Sequence, residues 1–316
     1  HQVEEVDEPV AGPGQEVVDI KATGISFPDV RTDKGLYQCK PPFPFSTGSE
    51  ISGVVSSVGE GVTMDKEGDR VMGSIGSGGL REKGVYLEQQ LMPLPETMDF
   101  NTAAGFPLNY GTTYHAFKQR GELKAGQSVL VLGAGGGLGI TAIHIAKAMG
   151  AKVIAAASSQ EKIDLCKKEG ADEGIIYERE MDRDLQKKFS DQIKEVTGGG
   201  VDMIYDLVGG DYAEPALRAI ARHGKYLVIG FTAGIPKMPL NLTLLKECEI
   251  VGVFWGQFAG VEYAENQQNF KELFDLHAEG KIKPFVTETY TLDESAAAIK
   301  TLEDRKVLGK VVVSME

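Results

Sequence analysis

The chain has 316 residues, 42% of them apolar and 25% charged, with a formal net charge of −13. That length suits roughly two domains of about 150 residues each, and the acidic balance argues against a nucleic-acid or acidic-membrane partner. No apolar run reaches the roughly 18 residues of a membrane span, and Cys39, Cys166 and Cys248 are too scattered for a disulfide framework or a structural zinc.

Such cysteine usage fits a reducing cytosol or organelle matrix, so the expected localisation is cytoplasmic. The chain opens at His1 within strand-like sequence, which leaves room for a preceding address, a mitochondrial one included.

Residues 1–95 are rich in β signals. Segments 17–22, 51–58 and 70–72 read as strands separated by Gly, Pro and Asp turns, with no long helical period between them. Pro93 and Pro95 bracket Leu94 and close this β region. Residues 101–120 carry helical spacing broken at Pro107, as expected of a helix crossing between two domains.

The apolar run Val129-Leu130-Val131-Leu132 reads as a buried strand that ends in Gly133-Ala134-Gly135-Gly136-Gly137-Leu138-Gly139. A helix follows, with Ile140, Ile143, Ala146 and Met149 on one face and Gly150 placed to end it. Glycines let the backbone approach an anion, and the helix offers unpaired N–H groups and a partial positive charge. The dinucleotide fingerprint is met only approximately, because Ala134, Gly136 and Gly139 fall on its three glycine positions.

Segment 152–157 is a second strand and 158–169 a second helix, with Ser158 and Glu161 spaced as a capping box, so the turn lies inside a βαβ unit. The backbone of Ala134, Gly135, Gly136, Gly137 and Leu138 is therefore expected to hold a dinucleotide. Where an NAD enzyme places an acidic residue on the ribose, about 20 residues beyond the turn, this chain has Ser158-Ser159, with Lys162 just beyond. A cation in a first helical turn opposes the helix dipole by a few tenths of a kcal/mol, and a 2′-phosphate reverses that sign. The expected cofactor is NADPH.

Segment 175–177 reads as a third strand, and 178–191 as a solvated helix face. Further strands at 201–208, 225–231 and 250–255 alternate with helices at 210–221 and 240–246, which gives an α/β fold with a doubly wound parallel sheet. Ligands bind at strand C-terminal ends in such sheets, so Gly209, Phe231, Thr232 and Trp255 are expected to line the cleft. The tail returns to β character around a helix at 293–304, with Asp293 as its N-cap.

Several separated motifs stand in one order: Gly24-Ile25-Ser26-Phe27-Pro28-Asp29, Gly35-Leu36-Tyr37, the Gly48–Val71 block, Thr112-Thr113-Tyr114, the Gly133–Gly139 turn, Asp206-Leu207-Val208-Gly209-Gly210 and Gly309-Lys310-Val311-Val312. Together they resemble the zinc-free, zeta-crystallin-like quinone oxidoreductase branch of the medium-chain dehydrogenase/reductase superfamily. The resemblance implies a Rossmann domain at 109–260 and a discontinuous GroES-like β-barrel domain made of 1–108 and 261–316. It also implies that Thr112 faces the nicotinamide, that Tyr177 borders the 2′-phosphate, that Phe254 and Lys310 touch the cofactor, and that a homodimer forms through strand 250–256. Read on their own, Thr112 is equally a helix-start hydroxyl and Tyr177 a core-edge aromatic.

Zinc-using members of the superfamily carry a Cys near the Ile25-Ser26 stretch and a His at the position of Ser49. This chain has neither, so no metal is expected. Ser26 also replaces the branch's usual Asn. The implied activity is NADPH-dependent reduction of quinones or related α,β-unsaturated carbonyls, with the small substrate between the domains near Ser26, Tyr37, Tyr110 and Phe254, and with Tyr37 and Ser26 as candidate catalytic residues. Two alternatives stay open: a reductase of enoyl thioesters or 2-alkenals in which Tyr37 donates a proton, and a non-catalytic NADPH-binding protein of crystallin type. Tyr37 is also readable as a turn-packing aromatic.

Overall fold

The computed structural model describes residues 2–37, 40–304 and 307–315, which places Cys39 outside the described residues. Its strands in chain order are β1 (Gln15–Ile25), β2 (Glu50–Val58), β3 (Arg70–Ser74), β4 (Lys83–Leu87), β5 (Leu91–Pro93), β6 (Ser128–Leu132), β7 (Lys152–Ala157), β8 (Glu173–Ile176), β9 (Val201–Asp206), β10 (Ile220–Val228), β11 (Glu249–Gly252), β12 (Val286–Thr291) and β13 (Lys310–Ser314). The chain divides into two units, His1–Leu108 with Pro284–Glu316, and Asn109–Lys283.

In the first unit the sheet runs β12-β13-β1-β2-β3-β5, with β4 paired to β1. β1 pairs antiparallel with β2, β4 and β13, so the C-terminal strand is sewn into the N-terminal sheet. Val18, Ile20, Ile51, Val55, Val71 and Leu91 pack on one another beneath it. A second cluster joins Ile25 and Val30 to Ala298, Ile299, Val311 and Val313, which anchors the Ser295–Glu303 helix to this unit. That helix is preceded by a 3₁₀ turn, Leu292–Glu294, whose capping box is formed by Thr291 and Glu294 rather than by Asp293.

The second unit is built on a six-stranded parallel sheet in the order β11-β10-β9-β6-β7-β8. β6 lies inside the sheet, and Val129, Leu130, Val131 and Leu132 are all fully buried, as an unbroken apolar strand covered on both faces should be. The Gly137–Ala148 helix follows its turn, and the Gln160–Lys168 helix follows β7. Pro107 opens a helix, Pro107–His115, which continues as a π turn over Ala116–Gly121.

Several expected bounds need correction. The break expected at residue 261 falls at Pro284. The reason is the Tyr263–Ala278 helix, which bonds within the second unit: Glu272 accepts from Tyr114 (2.6 Å) and Lys118 (2.6 Å), and Asn269 accepts from Gln119 (3.0 Å). The strand expected at 250–256 ends at Gly252, and Trp255 opens a short helix, Trp255–Val261. The strand expected at 225–231 starts earlier, at Ile220, and ends at Val228, leaving Phe231 in a turn. Ser159, not Ser158, caps the second helix of the βαβ unit, its hydroxyl accepting from Lys162 N–H at 3.4 Å. Among the described residues no helix is long and apolar enough to cross a membrane.

Candidate functional site

In the nucleotide unit the Gly-rich turn is tied to β7, since the N–H groups of Gly133 and Ala134 donate to Ala156 O at 3.1 and 3.0 Å. Ala134 is fully buried, and this bond uses its N–H. Gly136 is the N-cap, so Gly137 and Leu138 form the first helical turn, one turn earlier than the apolar spacing suggests. Their N–H groups belong to the unpaired set that a helix N-terminus presents to an anion. The surroundings of Gly136 are open, with Gly133 O, at 3.8 Å, as the nearest atom to a Cβ placed there. This is a cradle that a pyrophosphate can fill.

Lys162 lies across this turn. A Cβ on Gly135 would come 2.8, 2.9 and 3.0 Å from its Cβ, Cγ and Cδ, so the lysine stem rests on the glycine backbone. Ser158 and Ser159 are half-buried beside it at the end of β7. Tyr177 follows β8, with its ring 4.7 Å from Tyr212 and 5.9 Å from Phe189, so one face is packed. Thr112 is half-buried on the Pro107–His115 helix.

Gly209, Phe231 and Thr232 lie in the turns that leave β9 and β10. Phe231 is exposed, and the Thr232 hydroxyl donates to Leu207 O at 3.2 Å. Phe254 is 63% exposed, whereas Trp255 is only 5% exposed. The Trp255 indole lies against Gly111, and its N–H donates to Asn266 Oδ1 at 2.9 Å, which makes it a core residue and not the cleft wall expected of it. Tyr110 is corrected in the same way: it is buried, with its phenol 3.2 Å from His144 Nδ1, and burial pushes its pKa upward.

The β unit holds a second polar cluster. Lys310 Nζ bonds to the Glu50 carboxylate and donates to Ser26 Oγ at 2.5 Å, while Ser26 Oγ donates to Glu50 Oε2 at 3.2 Å. All three side chains are buried. The Lys310 stem threads between two glycines, since a Cβ on Gly24 would lie 3.1 Å from its Cε and one on Gly105 2.9 Å from its Cγ. Glu50 Oε1 accepts from Leu108 N–H at 2.7 Å.

Behind Ser26, Asp29 accepts from Ser26 N–H (2.8 Å), Ser49 Oγ (2.9 Å) and Gly48 N–H (3.1 Å). Burial pushes its pKa up to about 6, against the lowering effect of the Ser26 N–H, the Lys310 charge and the Ser49 hydroxyl. Tyr37 is half-buried in the segment after the Phe27–Asp33 helix. Lys310, expected at the cofactor, thus has its ammonium bonded to Glu50 and Ser26. Glu50 and Asp29 are the residues that sequence reasoning undervalued; the only signal for either was its place in the Gly-Ser-Glu and Gly-Ile-Ser-Phe-Pro-Asp strings.

A model of the alcohol dehydrogenase GroES-like domain matches residues 12–96, and a model of the zinc-binding dehydrogenase domain matches residues 137–279. The chain is 34% identical to quinone oxidoreductase-like protein 2 of Bos taurus, over 99% of its own length and 89% of that protein's. The chain belongs to the zinc-free quinone oxidoreductase branch of the medium-chain dehydrogenase/reductase superfamily. The quinone oxidoreductase of Rattus norvegicus is 32% identical over 95% of this chain and 88% of its own. Among solved structures, that of Escherichia coli quinone oxidoreductase complexed with NADPH superposes with a TM-score of 0.89 at 30% identity, covering 98% of this chain and 94% of the other.

Membership in this branch agrees with the side chains gathered around Ser26 and Ser49. Zinc does not fit here, because Ser26 and Ser49 offer hydroxyls instead of a thiolate and an imidazole, and Glu50 is already paired with an ammonium. Among the described residues no group of three or more His, Cys, Asp or Glu is placed to hold a metal ion.

Proposed function

We propose that this member of the branch is an NADPH-dependent reductase of quinones or related α,β-unsaturated carbonyls that works without a metal. The observation that carries the reading is the Lys162 stem resting on Gly135 of the phosphate turn, just beyond Ser158 and Ser159, which stand where an NAD-selective site has a carboxylate. When bound, NADPH supplies a hydride.

The residues of the chain bind and orient. The first turn of the Gly137–Ala148 helix would face the pyrophosphate, and Ser158, Ser159 and Lys162 the 2′-phosphate, with Tyr177 at its border. Thr112, Gly209, Phe231, Thr232 and Phe254 are proposed nearer the nicotinamide, and Ser26 and Tyr37 as the substrate-facing residues of the β unit. Reduction of a quinone needs alignment of the reacting atoms more than acid–base power, which suits a set of residues dominated by backbone and hydroxyl groups. The test is NADPH consumption with quinones, 2-alkenals and an enoyl thioester offered in parallel. Consumption with none of them would support a non-catalytic NADPH-binding protein instead.

A homodimer is proposed through β11, an edge strand of the parallel sheet, together with the segment before it. Leu240, Leu244 and Leu245 are 69%, 76% and 69% exposed there, a density of apolar surface that suits a partner of the same chain. The proposed compartment is the cytoplasm, in line with Cys166 and Cys248, which are free, buried thiols.

A further inference from the structure

Asp206, the last residue of β9, is 2% exposed, and its carboxylate receives three donors. The N–H groups of Val208 and Gly209 donate to Oδ1 at 2.8 and 2.9 Å, and the Tyr226 phenol, on β10, donates to Oδ2 at 2.5 Å. Its main-chain carbonyl accepts two more, from Ile229 N–H at 3.0 Å and Gly230 N–H at 3.1 Å. One residue therefore gathers the turns that leave two neighbouring strands.

Those turns are also bonded to each other. Ala233 N–H donates to Val208 O at 2.8 Å, Gly210 N–H to Gly234 O at 2.8 Å and Thr232 N–H to Leu207 O at 3.3 Å. Gly209 takes φ +66° and ψ −138°, and a Cβ there would come 2.5 Å from Gly234 O, so only glycine closes this seam.

The position of the seam gives it meaning. β9 lies beside β6, and the chain lays down β7 and β8 on one side of β6 and β9, β10 and β11 on the other. In doubly wound sheets the ligand crevice opens at such a reversal, outside the carboxyl ends of the strands. The β9 turn also presses on the phosphate turn, since a Cβ on Gly133 would lie 3.0 Å from Val208 Cγ2 and 3.5 Å from Leu207 Cβ.

We propose that Asp206 and Tyr226 are positioning residues for the dinucleotide: they hold the Val208–Gly210 wall at a fixed distance from the Gly-rich turn, so that the groove is formed before the cofactor arrives. This deepens the dinucleotide reading of the site and rests on it. Preorganised walls raise affinity by removing an ordering cost at binding, so loosening them should show in cofactor affinity more than in turnover at saturation.

The test uses the full chain. Tyr226→Phe keeps the ring and removes one donor; Asp206→Asn keeps the Oδ1 acceptor and removes the charge. NADPH dissociation constants come from nucleotide fluorescence, with KM for NADPH and kcat measured beside them, and Tyr205→Phe serves as a control. Tyr205 is a buried phenol on the same strand, bonded to Thr113 at 2.9 Å and outside the proposed groove. The expected result is an about tenfold rise in Kd and KM with kcat nearly unchanged for both Asp206 and Tyr226 variants, and less than a twofold change for Tyr205→Phe. Wild-type affinity in Tyr226→Phe and Asp206→Asn, with only their melting temperatures lowered, would overturn the inference while leaving the dinucleotide reading intact. Wild-type protein that binds neither NADPH nor NADH would overturn both.

Discussion

The Lys310 ammonium is bonded to the Glu50 carboxylate inside the β unit, with side chains 6% and 0% exposed, and Ser26 bridges the two. A cation from the C-terminal strand thus occupies the neighbourhood in which zinc-using relatives of the superfamily would need ligands, and its ammonium donates both to the carboxylate and to the hydroxyl that bonds the same carboxylate.

Removing one partner of a buried ion pair leaves an uncompensated charge. Lys310→Met is therefore expected to cost about 3–5 kcal/mol of unfolding free energy. Combining it with Glu50→Gln removes the stranded carboxylate, so the double variant should be more stable than Lys310→Met alone. Urea denaturation of Lys310→Met, Glu50→Gln and the double variant measures this, and losses that simply add would show that the pair is not coupled.

Glu16 on β1 is fully buried, with the carboxyl of Asp65 facing it. Burial, with the charges of Asp65, Glu88 and Asp69 nearby, raises its pKa from 4.5 to about 7. A raised carboxyl pKa favours the protonated native state, so this contribution to stability is complete below about pH 4.5 and is lost as pH rises through 7. Asp29, raised from 3.8 to about 6, acts in the same direction over a lower window. Glu16→Gln is expected to stabilise the protein by about 1–3 kcal/mol at pH 8 and hardly at all at pH 5. Denaturation at both pH values decides it; an equal gain at each would mean that the carboxyl does not titrate in this window.

Lys162→Ala should separate the two nicotinamide cofactors. A charge-assisted bond to a 2′-phosphate is worth about 1.5–3 kcal/mol, and about 1.4 kcal/mol is a factor of ten. The wild-type chain should bind NADPH more than tenfold tighter than NADH, and the variant should lose NADPH affinity with little change for NADH. Equal losses for both in a calorimetric titration would make Lys162 a structural residue whose stem supports Gly135.

Tyr37→Phe distinguishes the two enzymatic readings. A reduced quinone takes its protons readily from water, so quinone turnover should change by only a few fold. An enolate carbon needs a placed acid, which typically supplies about 10²- to 10⁴-fold. On an enoyl thioester, kcat and kcat/KM would then fall together. A hundredfold loss of quinone turnover at unchanged NADPH affinity would assign Tyr37 the role of acid and favour the second reading.

Much of this was legible in the sequence for physical reasons. β6 and its glycine turn are an apolar run that breaks where only glycine fits, and such local signals survive without tertiary context. Trp255 and Tyr110 were misplaced because an aromatic near a strand end or a helix start looks the same whether it faces a ligand or the core. Its neighbours decide, and Gly111, against Trp255, and His144, bonded to Tyr110, lie far away in sequence. The Lys310–Glu50–Ser26 contacts span 284 and 260 residues, beyond any periodic pattern. Asp206 was hidden for another reason: in its motif the glycines draw attention, while the carboxylate that holds them reads as one more charge.

Quinone reduction is measured by incubating the wild-type protein with NADPH and a simple quinone under anaerobic conditions and following cofactor consumption and hydroquinone formation together, with NADH and an enoyl thioester in parallel reactions. Hydroquinone should form in step with NADPH consumption, at a kcat/KM well above that of either parallel reaction and unaffected by a zinc chelator. NADPH consumption with the enoyl thioester and none with the quinone would contradict it.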